Sequence, residues 1–183
     1  MNFITKIAPL LILLAFAAMN PPGVKAFEPD LSSEIELDVK RAILNIRKSD
    51  PSIQKFFDTS AGYAVFPNVG KGGFMIGGAY GRGLVIVNQQ VDGDATVSQL
   101  TLGAQIGAQK YSLYIFFKDQ VALERFKREH FEFSAQASAV AVTSGVAATT
   151  SYDDGVAVFT ISDGGLMAEA SVGGQRFSYE PRN

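Results

Sequence analysis

The sequence predicts an α+β domain: a strongly curved, glycine-rich antiparallel sheet or partly closed β-barrel of six to eight strands, with two or three helices. Three observations predict it. Eleven of the 18 glycines fall between Gly62 and Gly107, interleaved with strand-favouring residues such as Tyr63, Val65, Phe74, Ile76, Tyr80, Leu84 and Ile86. From Phe131 to Ala141 one parity is apolar (Phe131, Phe133, Ala135, Ala137, Ala139, Ala141) while the other is polar through Glu132, Ser134, Gln136 and Ser138, the mark of one buried and one wetter strand face. Two short segments, 33–48 and 119–128, instead repeat their apolar residues at helical spacing.

The chain opens with a short stretch carrying Lys6, an apolar run of twelve from Ile7 to Ala18, and Val24-Lys25-Ala26 before a cut. That is the layout of a secretory signal peptide, and twelve apolar residues do not span about 30 Å of hydrocarbon. Asn20-Pro21-Pro22-Gly23 stops any continuing helix. Residues 1–26 are therefore read as a leader, with an uncleaved anchor as the alternative, and 27–183 as one domain that is exported to the periplasm or cell envelope, or secreted. Removing Lys6 and Lys25 takes the formal net charge from −2 to −4. Nonspecific attraction to an anionic surface is then not a property of the whole molecule, and any lipid binding has to come from a local patch.

Ser33 to Lys48 reads as the first helix. Ser33 and Glu36 have capping-box spacing, acids lead and bases trail along the dipole, and Ile35, Val39, Ala42, Ile43 and Ile46 share one face. Such a stripe packs on its own domain or faces a membrane or partner. Asp50-Pro51 then caps a second helix through Phe57. In the glycine-rich region Gly72-Gly73, Gly77-Gly78 and Gly81-Arg82-Gly83 read as bends, bulges or close backbone crossings. Asp92-Gly93-Asp94 reads as a hairpin turn between strands at 84–88 and 96–109. Ser112 to Phe117 is a strand, Asp119 caps a helix through about Arg128, and strands at 155–161 and 166–172 flank a turn at Asp163-Gly164-Gly165, with a last strand at 175–179.

Several chemistries fail on residue type or spacing. The chain has no cysteine and a single histidine, which removes thiolate catalysis, cysteine-ligated metals and multi-histidine metal sites. Gly70-Lys71-Gly72-Gly73 lacks both the leading glycine of a phosphate loop, where Val65 stands, and the Ser or Thr after the lysine. Gly81-Arg82-Gly83 lacks the third glycine of a dinucleotide site. His130, with no nucleophile elbow in the chain, reads as the end of a helix, not a catalytic base; an envelope enzyme built on it is a rival without a substrate. Asp92 and Asp94, and Asp153 and Asp154, lack calcium-loop spacing and read as solvated turns. With 16 basic against 18 acidic residues the chain is no nucleic-acid binder. No cofactor and no metal is implied. What is left is an amphipathic helix, a curved sheet, and the cations Lys71 and Arg82 set among glycines, where they can approach a lipid phosphate closely.

The run Ala61-Gly62-Tyr63-Ala64-Val65-Phe66-Pro67, continuing through Gly70-Lys71-Gly72-Gly73-Phe74 and Gly77-Gly78-Ala79-Tyr80-Gly81-Arg82-Gly83-Leu84-Val85, resembles the opening of the SYLF domain, a lipid-binding module. The likeness continues at Leu102 to Gln109, at Phe116 to Phe126 and at Gly165-Leu166-Met167-Ala168, so it spans about residues 35–181 and is strongest over 61–181. The resemblance implies a phospholipid- or phosphoinositide-type binding protein without catalysis. Its partner would be a phospholipid or membrane surface, engaged by the Ser33–Lys48 helix with Lys40, Arg41, Arg47 and Lys48, while Lys71 and Arg82 contact headgroups. Eukaryotic relatives also bind actin, which a leader directing this chain out of the cytoplasm argues against; bacterial relatives are exported. Glu169-Ala170 departs from the family's usual Gly-Val. A small outer-membrane β-barrel or an envelope structural protein is the alternative, the barrel sharing the leader, the glycines and the aromatic alternation.

Overall fold

The computed structural model describes residues 26–74, 76–102, 109–128, 131–132, 138–162, 170–171 and 174–182. The leader up to residue 25, His130, the Asp163-Gly164-Gly165 turn and the Glu169 departure lie outside them. The described elements are helices α1 (Glu34–Ser49), α2 (Gln54–Thr59, entered through a 3-10 turn at Pro51–Ile53), α3 (Gln120–Lys127) and α4 (Val146–Thr149), with strands β1 (Gly62–Phe74), β2 (Ile76–Val87), β3 (Gln90–Leu102), β4 (Gln109–Phe117), β5 (Phe131–Glu132), β6 (Ser138–Ala141), β7 (Val156–Ser162), β8 (Ala170–Ser171) and β9 (Arg176–Pro181).

The strands form one sheet in the order β5-β9-β3-β2-β1-β4-β7-β6-β8. Its curl is visible in a single hydrogen bond. Gln175 Nε2 donates to Tyr111 Oη at 3.1 Å, although β9 and β4 are four strand spacings apart, about 19 Å in a flat sheet. The expected curved or half-closed sheet is thus observed. Three details differ from the expectation: β6 pairs with β7 in parallel, α4 adds a fourth helix, and the described residues form nine strands instead of six to eight. The second has a tertiary cause, because the Ala147 N–H is capped by Asp50 Oδ2 at 2.7 Å from 97 residues away, a partner no local pattern reveals.

Both faces of the sheet are covered. Inside the curl, Ala64, Phe66, Val85, Leu113, Ile115, Phe117 and Phe177 pack with Leu123 and Phe126 of α3. On the outside, Val39, Ile43 and Ile46 of α1 and Phe56 and Phe57 of α2 pack over Tyr63, Val65, Leu84, Ile86, Tyr114 and Phe116. Phe57 meets Tyr63 and Phe116 edge-on, with centroids 5.0 and 4.9 Å away, contacts that add about 0.5–1.5 kcal/mol each beyond burial.

The glycines serve close approach. A side chain at Gly83 would stand 2.4 Å from Val65 O, because β1 bulges at Phe66-Pro67, where its register with β2 slips. Proline tolerates this central strand only there, since it has no N–H to offer the ladder. The Ser112 hydroxyl donates to the Pro67 carbonyl at 2.8 Å from the other side.

The hairpin expected at Asp92-Gly93-Asp94 is displaced. The turn is Asn88-Gln89, both with positive φ (51° and 66°), the geometry of a two-residue hairpin loop. Gly93 lies within β3 opposite Val85, and it is glycine because a Cβ there would be 2.4 Å from the Tyr179 ring.

Candidate functional site

Of the six cations expected to meet lipid, the four on α1 divide by the helix's own geometry. The apolar stripe faces the sheet, with Val39, Ala42, Ile43 and Ile46 buried, so this face belongs to the core. Lys40, on its flank, holds the Phe27 carbonyl and pairs with Glu28. Arg47, on the same flank, stacks over the Phe57 ring, 4.4 Å from its centroid. Arg41 and Lys48 lie on the solvent face, where Arg41 pairs with Asp38 at 2.6 Å. The Ser33–Glu36 capping box is only half formed. The Ser33 hydroxyl accepts from Glu36 N–H at 3.4 Å, but the Glu36 carboxylate accepts from Asp30 N–H at 2.8 Å and pairs with Arg182 at 2.7 Å. Arg182 also grips Asp94 through two bonds of 2.6 and 2.8 Å, which ties the segment after β9 to the start of α1.

Arg82 lies on β2 at even spacing from Leu84 and Ile86, hence on the same outer face, beyond the cover of α1. It is exposed and lines a cleft of about 320 Å³ with Asp94, Thr96, Ser178, Glu180 and Arg182. Arg182 is committed to Asp94 and Glu36. Arg82 has no partner among the described residues, so its guanidinium donors are available to an anion. Its cross-strand neighbour is Asn68, which lines a second cleft of about 270 Å³ with Asp38, Arg41, Asn45 and Ser112. The register therefore brings Arg41 and Arg82 to adjoining hollows of one outer surface. Lys71 does not join them. It pairs with Ala79 and Gln109, three residues along β1 from Asn68, an odd step that places position 71 on the other face.

The sequence alone does not single out Asn68, Thr96, Ser178 or Arg182. Only the pairing of β1, β2, β3 and β9 assembles them, and its last step joins residues as distant as Thr96 and Ser178. The acids expected in solvated turns are engaged: Asp92 accepts from the Tyr179 hydroxyl and pairs with Lys127 at 2.8 Å, and Asp154 pairs with Arg125 at 3.1 Å.

The ionisable groups whose pKa moves all move away from neutrality. Burial raises Tyr63, Tyr111 and Tyr152, and burial together with the Asp92 carboxylate raises Tyr179. Its bonds to Asp94 raise Arg182. The Ser32 N–H lowers Asp30. At Asp50 burial pushes upward, but bonds from the Ser52 hydroxyl and the Ala147 and Ser52 N–H groups outweigh it, and the carboxyl lies below its ordinary value.

Residues 98–182 match the Ysc84 family model, described as Las17-binding protein actin regulator. The resemblance to the SYLF (Ysc84) family read from the sequence is thereby borne out. Among curated proteins, beta cell expansion factor A of Aeromonas veronii is 28% identical over 138 residues, which are 74% of this chain and 52% of that protein. The chain thus spans about half the length of this relative. The family is one of binding domains, of the lipid- or actin-binding type.

Proposed function

We propose that the chain is an exported, non-catalytic protein of the cell envelope that binds phospholipid through the outer face of its sheet, with preference for anionic, phosphoinositide-like headgroups. The observation that carries this reading is Arg82, an outward cation with no partner among the described residues, in a cleft that Thr96, Ser178, Asp94 and Glu180 also line, in a chain similar to a binding family. Phe27, the residue after the proposed cut, is 3% exposed in the outer core, so the domain takes in the chain from that residue on. The buried stripe of α1 argues that the sheet, and not this helix, meets lipid. Covered faces on β1, β2 and β4 speak against an outer-membrane barrel, whose wall carries an outward apolar band.

Co-sedimentation tests the proposal. Residues 27–183 are expected to pellet with vesicles of phosphatidylcholine plus phosphatidylglycerol, less with phosphatidylcholine alone, and less again as salt screens the charge. Failure to pellet with either composition ends the lipid reading.

A further inference from the structure

The cleft beside Arg82 is built on three neighbouring strands with continuous register. One row across the outer face runs Arg82, Thr96, Ser178, from β2 through β3 to β9, and the next runs Leu84, Asp94, Glu180. Arg182 takes both oxygens of Asp94, at 2.6 and 2.8 Å, and a further donor goes to Glu36 at 2.7 Å. One guanidinium is thus shared by two carboxylates, and the Asp94 side of the cleft stays negative. Arg82 and Glu180 are both exposed, and neither has a partner among the described residues.

These two free charges do not neutralise each other. Two strand spacings across and two residues along separate their Cα atoms by about 12 Å. The Thr96 and Ser178 hydroxyls, 2.5 Å apart, stand on the rows between them. One of these hydroxyls donates to the other, and the lone pairs that remain can accept from N–H groups. The cleft is about 320 Å³ and, apart from Ala95, its lining is polar or charged. That is the small end of ligand sites, a size and polarity for a headgroup and not for an acyl chain.

We propose that this cleft takes a phosphate with a primary ammonium beside it, the chemistry of an aminophospholipid headgroup. Arg82 binds the phosphate, and Glu180 with the Thr96 and Ser178 hydroxyl oxygens accepts from the ammonium. The guanidinium offers forked donors that match phosphate oxygens. An ammonium has three donors and no acceptor, and the far end of the cleft supplies acceptors and negative charge. The same arrangement discriminates against related headgroups. Choline is quaternary, has no N–H and leaves Glu180 without a hydrogen bond. A glycerol headgroup brings no positive charge to that end. Both still present the phosphate that Arg82 holds, so the ammonium end sets the choice among phospholipids and the Arg82 end does not.

The inference rests on the phospholipid reading above for Arg82 as the phosphate contact, and the two can fail separately. At fixed phosphatidylglycerol content, replacing part of the phosphatidylcholine by phosphatidylethanolamine is expected to raise partitioning onto vesicles about tenfold. Glu180→Gln keeps the shape of an exposed side chain and removes its charge. It is expected to lose that gain while binding phosphatidylcholine–phosphatidylglycerol vesicles as before. Arg82→Gln is expected to weaken binding to both compositions about fivefold at low salt, and Lys118→Gln, an exposed cation outside the cleft, is expected to change neither. Titration with free phosphoethanolamine, read at the Thr96 and Ser178 amide resonances, separates the two sources of this chemistry. A vesicle gain without resonance shifts makes the ligand the lipid, and shifts without a gain make it the free compound. If phosphatidylethanolamine adds nothing and phosphoethanolamine moves neither resonance, or if Glu180→Gln keeps the gain, the ammonium assignment is overturned and the lipid reading survives. If the protein binds no vesicle of any composition the lipid reading falls, and silence toward phosphoethanolamine as well overturns both.

Discussion

Asp50 shows how much one side chain can hold. It is fully buried, caps the turn that opens α2 through Ser52, and caps α4 through Ala147. Losing it leaves two helix starts with orphaned N–H groups, so Asp50→Ala is expected to lower the unfolding free energy by about 2–4 kcal/mol at neutral pH in a denaturant titration. The pH dependence has a definite sign. A carboxyl whose pKa is depressed by folding stabilises the native state above its unfolded value, near about pH 4, and that stability is lost as pH falls through the folded value. The unaltered protein should therefore lose stability through this acid range more steeply than Asp50→Ala. Asp50 as a cap before Pro51 was legible in the sequence, since Asp-Pro ahead of an apolar run has few other uses. Its second role was not, because Ala147 is distant in the chain. Gly93 is the converse case: a residue type that signals a turn was required instead by the ring of Tyr179.

Among the elements, α1 was the most legible and its role the least. Its extent, its cap at Ser33 and its apolar stripe followed from spacing, but a stripe states only that one face is dry and not what keeps it dry. The structure answers with the sheet. Ile46 is 0% exposed, and Ile46→Ala is expected to destabilise by about 3 kcal/mol through the cavity it leaves. A helix standing off the sheet would lose less than about 0.5 kcal/mol, as ordinary surface changes do, so the denaturation midpoint decides between the two. The glycine-rich strands were recognisable as strands, yet their register was not, because glycine supplies no inward or outward signal at Gly72-Gly73 or Gly77-Gly78. The bulge at Phe66-Pro67 takes up one extra residue of β1, so that Asn68 stands beside Arg82 on the face of Leu84 and Ile86.

At the scale of the whole molecule, the curl depends on its last strand. β9 covers the edge of β3, sends Phe177 into the inner core beside Phe66 and Phe126, and is preceded by Gln175, which braces Tyr111. Deleting residues 176–182 exposes the β3 edge and uncovers the interior. The shortened chain is expected to aggregate on gel filtration and to lose near-ultraviolet circular dichroism; a monomer with intact signal would show that β1 to β4 curl without it. Fold class was readable from composition and alternation. Closure was not, because it is made by contacts between segments far apart in the sequence. Glu36 and Arg182 stand 146 residues apart, so a ribosome delivers the first partner of this clasp long before the second. Throughout that interval the start of α1 lacks this anchor, while its apolar stripe waits only for β1, β2 and β4 and can be covered once Phe117 has emerged.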